Sequence, residues 1–148
     1  MRILVATDGS EAAGRAVSFA AALAKKVGAH LKIVHIITSR DVPGEQLGDY
    51  ALREHTSSAE VMAAFSDEKL KDARQRAESV GLSGFESESR SETDEGDIAG
   101  AIMSAAHRDK SDLIVLGKRG LGRLSGLILG SVSQKVVSVA HCPVLVIP

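Results

Sequence analysis

Gly117, Gly120, Gly130 and Ser131 are the residues whose types and spacing point most directly to chemistry. They lie in the stretch LGKRGLGRLSGLILGSVSQKV, residues 116–136, which holds five of the chain's 14 glycines. Gly117 ends an apolar run, and a glycine after a strand lets the backbone come close to a ligand. Gly130 and Ser131 stand where a helical spacing begins. A serine there can cap the helix and turn its hydroxyl to a phosphate, while the uncommitted N–H groups and the helix dipole favour an anion. Lys118, Arg119 and Arg123 add positive charge within reach. The chemistry indicated is the binding of a phosphate-bearing anion. Taken alone, the same stretch equally suits a surface loop with an ordinary helix cap and a solvated basic face.

Other chemistries find less support. The P-loop pattern GxxxxGK[ST] is absent, and GLGRLS is neither GxGxxG nor placed after a first strand. His35 lies within an apolar run and His141 beside Cys142; neither has a paired carboxylate or second ligand, so both read as structural. Cys142 is a lone cysteine without a disulfide partner or metal-ligand spacing, and reads as a small buried hydrophobe. No metal site and no catalytic residue are assigned. Asp8 is the one carboxylate placed near the glycine-rich stretch, either for ligand contact or as a cap for the next helix. A phosphate clamp that binds substrate and transition state alike gives affinity and not turnover, so efficient hydrolysis is not predicted.

The elements that must position these residues follow from periodicity. ILVA, residues 3–6, is a buried strand ending in the turn Thr7-Asp8-Gly9-Ser10. Ala16, Ala20, Leu23 and Val27 form one helical stripe, stopped by Gly28. HLKIVHIIT, from His30, is a β-branched strand. The polar connection that follows carries Pro43, Gly44 and Gly48 and is long enough for a functional loop or cover. A helix starts near Ser58, with Leu70, Ala73, Ala77 and Val80 on its apolar face and Gly81 at its stop. FESESRSE, from Phe85, alternates but is nearly all polar, so if it is a strand it sits at a sheet edge. A further helix opens at Gly96 and carries Ile98, Ile102 and Ala105. DLIVLG, 112–117, reads as a central strand covered on both faces. After the glycine-rich stretch come a helix with Val132, Val136 and Val139, and a last strand, PVLVI, from Pro143.

Five strands alternating with four helices predict an α/β fold: a doubly wound parallel sheet with helices on both faces and strand order 3-2-1-4-5. The winding then reverses between strands one and four, where ligands bind in such sheets. Those strands end in TDGS and GKRG. At 148 residues, 44% hydrophobic and 25% charged, the chain suits one domain spanning 1–148. Its net charge of −1 and few aromatics argue against nucleic acid as a partner. No apolar run spans a bilayer, and the first one ends at Thr7, too soon for a signal peptide, so a cytoplasmic location is expected.

The spacing Gly117-x2-Gly120-x9-Gly130-Ser131, with ATDGS after the first strand, VHII in the second and HCPVLVIP at the end, resembles the universal stress protein family in its ATP-binding branch. The likeness runs nearly end to end. It implies that Ala6, Thr7 and Asp8 line base and ribose, and that the backbone of Ile36 meets adenine. It also implies that Gly117, Gly120, Gly130 and Ser131 hold ribose and phosphates, with Leu116 and Val132 beside them. Lys118 and Arg119 fill the two variable positions between the first glycines, where their charge either tightens phosphate binding or is simply exposed. The resemblance implies a stress-response regulatory protein switched by ATP, with Mg²⁺ held mainly by the phosphates, an unidentified protein partner, and a homodimer through the C-terminal strand. A slow ATPase or autophosphorylating enzyme, and a nucleotide-free interaction module, are the alternatives. The chain departs from the family in carrying Ile98 where many members have proline and in its polar third strand.

Overall fold

The computed structural model describes residues 1–38, 58–91, 97–120 and 129–148. Among these residues five strands, β1 (Arg2–Thr7), β2 (His30–Ile37), β3 (Glu86–Ser91), β4 (Leu113–Gly117) and β5 (Val144–Ile147), alternate with four helices. These are α1 (Glu11–Val27), α2 (Ser58–Ser79), α3 (Ile98–Arg108) and α4 (Ser131–Val139). All strand pairs are parallel, in the order β3-β2-β1-β4-β5. The expected fold and order are therefore observed.

Alternation along β1 builds two cores. Ile3 and Val5 face α1 and α2 with Leu31, Ile33 and Val115, while Leu4 and Ala6 face α3 and α4 with Val34, Ile114 and Leu116. The buried face of α1 is made of small residues, Ala13, Ala16, Ala20 and Ala24, so its backbone lies close to the sheet. Ser10 caps it by accepting from Ala13 N–H at 3.2 Å. Helix α3 opens at Ile98 and not at Gly96, because Asp97 accepts from Gly100 N–H at 2.8 Å and fixes the start there. β4 and β5 each begin one residue later than the apolar runs suggest; Pro143 nonetheless lends its carbonyl to Ile114 N–H at 3.0 Å.

The polar β3 is held at the edge by charge. Lys32 of β2, whose side chain is 12% exposed, places its ammonium 3.0 Å from Asp109 and 3.1 Å from Glu88. Glu88 also accepts from Arg90 and, at 3.2 Å, from Arg108. Burial works against charge on Glu88, but the hydrogen bonds from Arg90 and Lys32 outweigh it and hold its pKa below the ordinary 4.5. Burial likewise works against the charge on Lys32, and Asp109 and Glu88 outweigh it, raising its pKa above 10.5. The carboxylate's contribution to stability is thus fully present above its ordinary pKa and is lost as pH falls through its lowered one. Glu88→Gln is expected to lower stability at neutral pH and to flatten its fall below pH 4.5. Urea melts at a series of pH values check this; parallel curves for the two proteins would refute it.

Candidate functional site

The hydrogen-bonded register between β1 and β4 stops at Val5 and Val115. Beyond it Ala6-Thr7 and Leu116-Gly117 border a crevice at the point where the winding reverses, and a cavity of about 310 Å³ opens there. Ala6, Thr7, Asp8, Ile36, Leu116, Gly117, Arg119, Gly120, Gly130, Ser131 and Val132 all line it. Lys118 does not. Its backbone is pinned instead, its N–H donating to the Ile147 carbonyl at 2.6 Å and its carbonyl accepting from Gly130 N–H at 2.9 Å. That second bond joins the two ends of the glycine-rich stretch. Arg123, Gly122 and Gly126 lie outside the described residues, as does most of the connection before α2.

The cavity has an apolar inner wall and a polar mouth. Ala6, Ile36, Leu116 and Val132 belong to the core beneath α3 and α4, and Ile98 and Ile102 of α3 close the wall. Sequence reasoning placed those two isoleucines on an apolar helix face without seeing that the face reaches the cavity. Their spacing of four was the available signal. At the mouth, α4 presents its first turn. Its helical hydrogen bonding starts with Gln134 N–H donating to Gly130 at 2.8 Å, so the N–H groups of Ser131, Val132 and Ser133 have no helical acceptor. The cap is Gly130 and not Ser131, with no side-chain cap bond; Ser131 is the first helical residue and is exposed. Ser133 donates to the Gly117 carbonyl at 2.8 Å and ties α4 to the end of β4.

The glycines divide their work differently from the sequence expectation. A Cβ on Gly117 would stand 2.7 Å from Ala13 N and 2.8 Å from Ala12 C, so this glycine admits the first turn of α1. A Cβ on Gly120 would collide with the Asp8 carboxylate. Gly130 alone of the three meets only ordinary contacts, with Lys118 O at 3.4 Å as the nearest.

Asp8 does not cap α1. Its Oδ1 accepts from Ser10 N–H at 2.9 Å and shapes the turn, while Ser10 Oγ caps the helix and donates to the Arg119 carbonyl at 3.3 Å. Among the described lining residues Asp8 is the one carboxylate. His35 also lines the cavity; it is buried and hydrogen-bonds Ser66 of α2 through Nδ1 at 2.5 Å, consistent with the structural reading. His141 is exposed, with its ring edge-on to His107 at 5.5 Å. Cys142 is half-buried, and burial with the nearby Asp112 charge raises its pKa, which keeps the thiol protonated. A pocket that joins an apolar slot to oriented N–H donors can hold an aromatic base and its phosphates.

The universal stress protein family model matches residues 1–148. A universal stress protein of Thermus aquaticus, encoded in the 3′ region of a QAH/OAS sulfhydrylase gene, is 41% identical over 146 residues, covering 98% of this chain and 96% of the relative. Among solved structures, UspA from Lactobacillus plantarum superposes with a TM-score of 0.77 at 26% identity, over 100% of this chain and 97% of that one. A universal stress protein in complex with cAMP gives a TM-score of 0.68 at 26% identity, over 100% and 96% of the two chains.

Proposed function

Because the chain belongs to the universal stress protein family, we propose that its 148 residues act as one cytoplasmic domain that binds an adenine nucleotide at the switch-point cavity. ATP is the preferred ligand, with Mg²⁺ held mainly by its phosphates, and occupancy switches conformation or the binding of a protein partner in a stress response. The observation that carries this reading is the pairing, in one cavity, of an apolar slot with the unclaimed N–H groups of α4. The base enters between Ile36, Leu116 and the α3 isoleucines, Asp8 and Gly117 face the ribose, and Gly120, Gly130 and Ser131 face the phosphates with Arg119 near. The solved relative that holds cAMP supports an adenine ligand of this size. The site is built to bind: its described lining offers one carboxylate, and that carboxylate is engaged in shaping a turn.

The same proposal includes a homodimer through β5. All four residues of that edge strand are half-buried, and the neighbouring Val137 and Val139 are 48% and 57% exposed, an apolar edge that pairing with a second copy would cover. Among the described residues no helix is long and apolar enough to cross a membrane.

Thermal melts with ATP, AMP and cAMP test the reading. Nucleotide at ~100 times its Kd stabilises by about 2.7 kcal/mol, a rise of roughly 5–10 °C for a chain of this size. Light scattering on the same samples is expected to give twice 15.5 kDa. No rise with any adenine nucleotide would refute the binding site, and a monomer mass at every concentration would refute the dimer.

A further inference from the structure

Gly9, in the turn between β1 and α1, is crossed by a side chain from a distant helix. A Cβ at Gly9 would stand 2.6 Å from Cδ of Lys69 and 3.2 Å from its Nζ, and the glycine's φ of +79° is itself one that other residues rarely adopt. The stem of Lys69 therefore lies on bare backbone, with its ammonium at the turn that carries Asp8 and Ser10. Asp8 lines the cavity, and Ser10 donates to the Arg119 carbonyl, joining the turn to the residues after β4. On the same helix Arg74 and Arg76 are matched by Asp67 and Asp72. Among the described residues no carboxylate stands within ion-pair distance of Lys69.

We propose that Lys69 is a specificity residue of the nucleotide site: it fixes a positive charge, held in no ion pair among the described residues, at the β1–α1 turn, which selects phosphate-rich nucleotides over the bare nucleoside. The inference rests on the nucleotide reading above. Lys69 is not among the residues lining the cavity, so it acts through the field at the mouth and not by a contact to the base. Arg119 lines the cavity after β4, and Lys69 adds charge at the adjoining turn from the α2 side, so the field at the mouth favours a polyphosphate. An uncharged nucleoside gains nothing from either.

Lys69→Met retains the stem over Gly9 and removes the charge. Calorimetric titration of the whole chain with ATP and with adenosine is expected to show ATP affinity about 5–10-fold weaker in the variant, with adenosine affinity within about twofold of wild type. Raising KCl from about 50 to about 500 mM is expected to narrow the ATP difference between the two proteins. An unchanged ATP affinity, or an equal loss for ATP and adenosine, would overturn the inference, the latter because only a shape role weakens both. Failure of the wild-type chain to bind either ligand would overturn the nucleotide reading and this inference together.

Discussion

Gly117→Ala is expected to destabilise the fold by ~2–3 kcal/mol, a fall in melting temperature of roughly 4–12 °C, whether or not nucleotide is present. The added methyl would stand 2.7 Å from Ala13 N and 2.8 Å from Ala12 C. Those atoms are backbone in the first turn of α1, held by the Ser10 cap and by Gly14 N–H donating to the Ser10 carbonyl at 2.8 Å. They have no flexible end that can swing aside. To relieve the clash α1 must lift from the sheet, and its buried alanines, Ala13, Ala16 and Ala20, would lose contact with β1 and β4. Alanine in place of glycine also narrows the unfolded ensemble, an opposing gain of about 0.4–1 kcal/mol that the overpacking exceeds. Scanning calorimetry on the ligand-free protein measures the result. A melting temperature within about 1 °C of wild type would show that α1 is not held as tightly against β4 as the geometry requires.

The origin of that effect separates what could be read along the chain from what could not. The sheet was legible because its determinants are local. ILVA and DLIVLG are continuous apolar runs suited to strands covered on both faces, and ESESRS is too polar for anything but an edge. The place of the cavity was legible, since the strand order puts Asp8 and Gly117 on either side of the reversal, and eleven of the twelve residues proposed for the site line it. The reason for each glycine was not legible. Gly117 answers to a helix that starts more than a hundred residues earlier, and Gly120 to the carboxylate of Asp8. Such contacts are made by folding and leave no periodic trace. The same holds for Asp97, whose capping bond moves the start of α3 past Gly96, and for Ser133, which reaches back to Gly117. Lys118 was drawn toward the phosphates by its place between two glycines, whereas its backbone serves the β4–β5 edge and the closure of the loop.

Gly130→Asp is expected to act in the opposite sense from Gly117→Ala, weakening nucleotide binding about 100-fold or more while leaving the fold as stable as before or slightly more so. The backbone at Gly130, φ −66° and ψ 152°, is open to any residue, and a Cβ there meets nothing closer than 3.4 Å. Gly130 is also the cap of α4, with no side-chain bond to the first turn. Aspartate is among the preferred residues at that position, since its carboxylate accepts the N–H groups two and three residues on, in this chain those of Val132 and Ser133. The helix therefore gains a cap. The ligand loses the same donors, because the new carboxylate occupies them and repels a phosphate brought to the mouth. Two charge-assisted hydrogen bonds at ~1.5–3 kcal/mol each make the hundredfold figure a conservative one. Calorimetric titration with ATP beside a melt of the ligand-free variant reads both quantities. Retained affinity would show that the phosphates do not lie at α4, and a collapse in stability would show that Gly130 is there for the chain and not for the ligand.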